Sequence, residues 1–334
     1  MSGHLTFGYL YDFRNPPNWS RPWEDLYAEI LDVVAWTEEA GFDGAWVPEH
    51  HLAEDGYMPS PLIALTAMAA RTKRIKIGSG IALAPLYHPV RFAEDCAVLD
   101  ILSRGRLEMG LAIGYRRREA AAYGVDFTKR GRLFDEWLQI VTRLWAGEEV
   151  NFEGQHFTLS GAKLMPPAPR GRIPLYIGSF TDKAMERVAR YGDGFIGSGD
   201  LCDLYAEKMR AQGKDPASAK VRVTELFLAV AHDPERAMDE LAPYYHHVNN
   251  SYAAWFDEDK ASGLEGPKPM SLDAFKASGT LQILTPDAAV AAIKDKQARM
   301  PLDHVMMMMP PGLPAARFVE YAQVFADEVI PAFR

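Results

Sequence analysis

Gly41-Phe42-Asp43-Gly44 reads as a turn that ends a helix and starts a strand, and Ala45-Trp46-Val47-Pro48-Glu49-His50-His51 follows it directly. Ala45-Trp46-Val47 is short, apolar and bulky, the composition of a buried strand. The polarity then changes abruptly to a carboxylate and two adjacent imidazoles, with Asp55 close behind. In barrels and open sheets of parallel strands, chemistry sits at the carboxyl ends of the strands. The stretch therefore predicts a parallel α/β fold with a site at Glu49-His50-His51.

The same alternation extends to both sides. Leu5 to Phe13 predicts a first strand, broken by Asn15-Pro16-Pro17-Asn18. Ser20 as cap, with Pro22 and Glu24, opens a helix in which Leu26, Ile30, Val33, Val34 and Thr37 recur at helical spacing. Pro59 to Arg71 reads as a helix, Arg74 to Leu83 as a strand, and Pro89 to Leu102 as a helix. Arg106 to Ile113 reads as a strand ending at Gly114, and Phe134 to Trp145 as an amphipathic helix. Residues 151–159 read as a small hairpin outside the pattern, turning at Glu153-Gly154. Strands at Pro174 to Gly178 and Phe195 to Gly197 then alternate with helices at Asp182 to Tyr191 and Leu204 to Gln212. Val221 to Ala231 reads as one strand, followed by a long helix from Asp233 to Phe256. Residues 257–280 read as a long loop, Thr285-Pro286-Asp287 opens a helix, His304 to Met309 is the last strand, and Ala315 to Phe333 the closing helix. About eight strand–helix units result, the count of a (β/α)₈ TIM barrel. One domain spans 1–334, with a hairpin insertion near 151–159 and a lid-like insertion near 257–280. A doubly wound sheet shares this periodicity.

The chain has 334 residues, 48% hydrophobic and 24% charged, with a net charge of -9. That balance argues against nucleic acid or an anionic membrane as a partner. No window approaches the roughly 20 apolar residues that span a bilayer. Met1 to Thr6 shows no basic region followed by an apolar run, so no secretory signal is expected. Cys96 and Cys202 form neither a disulfide framework nor a metal cluster, which fits a cytoplasmic protein.

Adjacent strand residues point to opposite faces, so only one of His50 and His51 can face a shared pocket. The spacing is poor for chelation, and no metal site is expected. A single imidazole can serve as a base near neutral pH. Ala84 to Arg91 places His88 and Arg91 near a helix start with Pro89 at its first position. Gly178-Ser179-Phe180-Thr181-Asp182 joins a strand to a helix, where hydroxyls and free amides suit a phosphate as well as a plain cap. Ile-Gly-Ser recurs at 77–79, 177–179 and 196–198, at or near predicted strand ends. Met306 to Met309 reads as a buried strand, and Tyr9, Tyr11 and Phe13 hint at an apolar pocket.

In combination, Gly41 to His51, Ile77-Gly78-Ser79-Gly80, His88-Pro89-Val90-Arg91, Leu99-Asp100 before Ser103-Arg104-Gly105-Arg106, and Gly110 to Gly114 resemble the bacterial luciferase-like, flavin-dependent monooxygenases. Pro174 to Ser179 and Gly192-Asp193-Gly194 resemble that family's phosphate-side strand and turn. The resemblance implies a TIM barrel that takes reduced FMN from a separate reductase and oxidises a small or medium organic substrate with O2 through a flavin hydroperoxide. It implies His50 as the catalytic base. It implies cofactor contacts from Glu49, Ser79, Gly80, Ile81, Gly114, Gly178, Ser179 and Thr181, with a cis peptide at Gly80-Ile81 under the ring. It further implies a homodimer and a mobile lid around 257–280. Luciferases carry a reactive cysteine where Ala112 stands, an arginine where Ile113 stands, and an acid near Phe180, so light emission is not expected. Arg91, Arg116 and Arg130 are candidates for the phosphate. Alternatives are hydride transfer with a deazaflavin in the same fold and a non-catalytic flavin-binding barrel. A metal-dependent hydrolase lacks ligands.

Overall fold

The computed structural model describes residues 4–258 and 266–334. Its strands are β1 (Thr6–Leu10), β2 (Gly44–Val47), β3 (Lys76–Leu83), β4 (Leu107–Ala112), β5 (Val150–Glu153), β6 (Thr158–Ala162), β7 (Leu175–Gly178), β8 (Gly194–Gly197), β9 (Val221–Thr224), β10 (Leu228–Val230), β11 (Gln282–Leu284) and β12 (Leu302–Met308). The helices are α1 (Trp23–Glu39), α2 (Pro61–Arg71), α3 (Pro89–Leu102), α4 (Arg117–Ala122), α5 (Arg130–Trp145), α6 (Asp182–Tyr191), α7 (Cys202–Ala211), α8 (Pro234–Glu258), α9 (Leu272–Ala277), α10 (Pro286–Arg299) and α11 (Ala315–Val324). Parallel strands close a barrel in the order β1-β12-β9-β8-β7-β4-β3-β2, with helices between them, which is a (β/α)₈ barrel. No helix among the described residues is long and apolar enough to cross a membrane.

Trp46 shows why β2 is organising. Its indole fills the barrel interior because Gly44 and Gly78 leave it room. A Cβ at those positions would stand 2.7 and 2.6 Å from ring atoms. The indole N–H donates to His304 Nε2 at 2.8 Å, and the Arg222 guanidinium lies 4.7 Å from the indole and 3.2 Å from the Tyr176 ring. Arg222 pairs with Glu108, so the buried charge is met. These side chains plug the barrel, and ligands are left to its mouth.

Several elements depart from expectation. The pattern Val221 to Ala231 splits: Glu225 N makes the last ladder bond to Met306, and β10 then leaves the barrel to pair with β11. The continuous β-type pattern hid that exit, because periodicity does not report which partner a strand chooses. The hairpin is real but runs from Val150 to Ala162. The expected lid at 257–280 lies partly outside the described residues. Its described part includes α9, whose Phe275 is fully buried. Ser20 does not cap α1; Pro22 takes that position, with no side-chain bond. Ile77-Gly78-Ser79 lies inside β3 rather than at its end, and its glycine makes room for Trp46.

Tyr9, Tyr11 and Phe13 pack against the helices, and Tyr11 and Phe13 border only a small cavity of about 10 Å³ with Leu26, Ile30 and Leu313. Tyr9 packs on Phe42 and Phe318, the Tyr11 hydroxyl meets Thr37 Oγ1 at 2.6 Å, and Phe13 packs on Tyr27, all between barrel and helices. Leu10 has the other parity and reaches Gly80 inside the barrel. Met306 to Met309 are buried, and the Met306 thioether also packs at Gly80.

Candidate active site

Just after β2, Glu49 is 2% exposed. One of its oxygens accepts the Leu83 amide at 2.6 Å. The other accepts the Tyr87 hydroxyl at 2.6 Å and meets His51 Nε2 at 2.9 Å. A carboxylate accepts only, so His51 Nε2 carries the hydrogen and Nδ1 accepts from the Tyr123 hydroxyl at 2.9 Å. Glu49 thus ties the loop to the end of β3 and turns His51 away from His50.

His50 faces the other way. Its Nδ1 lies 2.9 Å from Glu119 Oε1, which also accepts the His51 amide and Arg116 Nη1, each at 2.9 Å. Burial alone would raise Glu119, but these bonds and the Arg116 charge hold it below the usual carboxylate range. The ionised carboxylate makes Nδ1 the donor and leaves Nε2 with the lone pair. Burial pushes the imidazole below its ordinary value; Glu119 opposes that shift, while Arg116 and Arg14 reinforce it. His50 is therefore neutral at neutral pH. Its ring centroid lies 4.8 Å from Tyr57, 4.9 Å from Trp255 and 5.5 Å from Tyr115.

Beside it, Arg14 and Asp55 form a buried pair that His247 joins from α8 at 2.7 Å. Burial would raise Asp55, yet the bonds from His247 and Arg14 hold it at about 2. Burial pushes Asp12 up to about 7 from its ordinary 3.8, against the pull of Arg14. Five buried atoms here have no hydrogen-bond partner among the described residues: Asp12 Oδ2, Arg14 Nη1, Tyr115 OH, Arg116 Nε and Glu119 Oε2.

Asp12 gives a stability prediction whose sign follows from its raised pKa. A carboxyl raised on folding contributes stability that is present in full below the unfolded value near 3.8. That stability is lost as pH rises through about 7. Asp12→Asn should therefore raise the unfolding midpoint at pH 8 and leave it nearly unchanged at pH 4. Equal shifts at both pH values in chemical denaturation would show that the raised pKa is absent.

The other expected site residues lie around the rim. The Gly80-Ile81 peptide is cis. Ile81 reaches across to β7, where a Cβ at Gly178 would stand 2.5 Å from its Cδ1. Gly114, at φ +74, lies beside Leu83, and its carbonyl accepts Arg130 Nε at 3.1 Å. The Ser79 hydroxyl donates to the Gly110 carbonyl at 2.7 Å within the barrel wall. The Ser179 hydroxyl donates to the Thr181 carbonyl at 3.0 Å, and Thr181 Oγ1 caps α6 by accepting the Ala184 amide. The fold thus joins Glu49, Gly80, Ile81, Gly114 and Gly178 in one run of contacts, with Ser179 and Thr181 next to it. Arg91 pairs with Asp95 on an exposed face of α3, and Arg116 belongs to the His50 cluster.

Sequence reasoning missed Glu119, Arg14, Asp12 and Trp255. Glu119 lies on α4, too short for a periodic pattern. Asp12 continues the inward parity of Leu10, which was a usable signal; Arg14 follows Phe13 at φ 56, where strand parity no longer applies. Trp255 carries none, because its docking depends on where α8 crosses the mouth.

Residues 5–298 match the model of the family described as luciferase-like monooxygenase. An F420-dependent glucose-6-phosphate dehydrogenase of Amycolatopsis mediterranei (strain U-32) is 29% identical over 323 residues, 92% of this chain and 94% of that protein. An alkanal monooxygenase alpha chain from the Kryptophanaron alfredi symbiont is 25% identical over 257 residues, 74% of this chain and 71% of that one. The crystal structure of a monooxygenase from Streptomyces bottropensis superposes with a TM-score of 0.84 at 23% identity, covering 99% of this chain and all of the other. That likeness shows a shared fold.

Proposed function

We propose that this chain, which belongs to the luciferase-like monooxygenase family, binds reduced FMN across the mouth of its barrel and uses O2 to oxidise a small or medium organic molecule. The observation that carries the reading is His50, buried, neutral and held through Nδ1 on an ionised Glu119. Members of the family are oxidoreductases; the choice of FMN and of oxygenation is the proposal.

The residues present suit a flavin. Gly80 and Gly178 let Met306 and Ile81 pack closely at the ends of β3 and β7, and Ser179 and Thr181 stand at the start of α6, where free amides favour a phosphate. When bound, reduced flavin would supply two of the four electrons that O2 takes up, the organic substrate giving the other two. His50 Nε2 takes up and returns a proton, and Glu119 stabilises the imidazolium that forms meanwhile. Arg116 holds Glu119 in place, and the rings of Tyr57 and Tyr115 exclude water. Glu49 and Ser79 act from beneath, fixing the ends of β2 and β3. A separate reductase delivers the flavin. Exposed Ile63, Val98, Ile101 and Leu102 on α2 and α3 support a homodimer through these helices.

Hydride transfer with a deazaflavin is the second reading, favoured by the identity to an F420-dependent dehydrogenase over 92% of this chain. Anaerobic titration with reduced FMN and, separately, with reduced deazaflavin decides between them. Saturable binding of reduced FMN, followed by oxidation of the complex on admitting air, is the expected result. Binding of the deazaflavin alone transfers the assignment to the second reading, and binding of neither removes both.

A further inference from the structure

We propose that Trp255 occupies the subsite of an aromatic substrate, and that an oxygen-bearing aromatic ring displaces it to lie against Arg14 and Arg116 beside His50. The inference deepens the functional reading, since it takes His50 as the reacting residue.

Trp255 projects from α8 into the site, with its ring centroid 4.9 Å from His50 and 5.6 Å from Tyr57. The Arg116 guanidinium carbon lies 4.4 Å from the indole centroid and that of Arg14 5.7 Å. The two arginine side chains are 2% and 0% exposed. Each keeps one donor without a partner, Arg116 Nε and Arg14 Nη1, and the Tyr115 hydroxyl nearby is likewise unpaired. Buried donors are nearly always paired in native interiors. These three donors, with the unpaired acceptors Asp12 Oδ2 and Glu119 Oε2 in the same cluster, mark a place shaped for a polar molecule that brings acceptors and can also donate.

Indole offers a π face and an N–H but no acceptor. Trp255 can therefore stack on the guanidinium groups and cannot satisfy their N–H bonds. A ring that carries hydroxyl or carbonyl oxygens does both. That difference in interaction favours displacement. Asp55 already balances Arg14, and Glu119 balances Arg116, so no strongly anionic group is called for. The substrate class is a neutral phenol or aryl ketone. A long aliphatic aldehyde can reach a donor through its carbonyl but offers no ring to stack on the guanidinium groups, so it gains less.

Calorimetric titration of the flavin-free protein with 1-naphthol and with decanal tests this apart from the cofactor assignment. Trp255→Ala should bind 1-naphthol at least tenfold more tightly than the unaltered chain, with less than a twofold gain for decanal. Adding Tyr115→Phe should take back several-fold of the naphthol gain. Equal naphthol affinity in both proteins, or an equal gain for decanal, overturns the proposal. So does competition by oxidised FMN, which would make the place part of the flavin site. Trp255→Leu, which keeps apolar bulk, is measured alongside. If Trp255→Ala does not unfold cooperatively, a selective naphthol gain in Trp255→Leu upholds the proposal and its absence overturns it.

Discussion

Replacing His50 by alanine lowers kcat by about 10²- to 10⁴-fold, the range that a positioned acid–base group supplies. Flavin affinity should change little, because the glycines of the rim and the start of α6 do not depend on the imidazole. The size of the effect rests on three features. The ring is neutral, because burial disfavours its charged form. Its Nδ1 is committed to Glu119, which leaves Nε2 as the exchanging atom. Its aromatic surround exposes the histidine only 7% to solvent, so water is a poor substitute. In the unaltered enzyme the acid limb of kcat/KM should fall below pH 6.5, the ordinary histidine value from which burial lowers it. Turnover of His50→Ala within a few-fold of the parent, at equal flavin saturation, would remove the catalytic role.

Glu119→Gln is the second large effect, and it acts through His50. The amide occupies the same space without the charge that favours the imidazolium. Burial and Arg116 would then push the histidine lower still. The acid limb should move further down in pH while the plateau rate falls by about tenfold to a hundredfold. The move in the limb separates positioning from simple damage, since a merely loosened fold changes rate without shifting the profile. The variant also leaves Arg116 buried without a neighbouring full charge among the described residues except the more distant Glu258, its other partners being the His51 carbonyl and the new amide oxygen. Losing one member of a buried pair costs about 3–5 kcal/mol, visible as a lower denaturant midpoint. An unshifted pH profile would show that Glu119 does not tune His50.

The barrel was legible because its evidence is local. A short apolar run after Gly44, a polar break at Glu49 and a helix beginning at Pro61 repeat in kind around the chain, and each unit reports its own periodicity. His50 was legible for the same reason: it stands where a parallel strand ends. Separate orientation of His50 and His51 followed from strand parity, and the structure gives each its own carboxylate, Glu119 and Glu49.

What lay beyond the sequence was the choice of partners across distance. Glu119 is 69 positions from His50 and His304 is 258 from Trp46, yet each pair is joined by one hydrogen bond. No local propensity encodes such a pairing, because it comes from closing the barrel and folding α4 against the end of β2. By itself the sequence determined the succession of elements and set Glu49-His50-His51 at the end of a strand, since these depend on neighbours along the chain; resemblance to a family singled out His50 as the candidate. Only the tertiary structure decided which carboxylate holds that histidine, which donors stay unpaired beside it, and that Trp255 rests against them. Those depend on burial and on contacts between residues far apart in the chain.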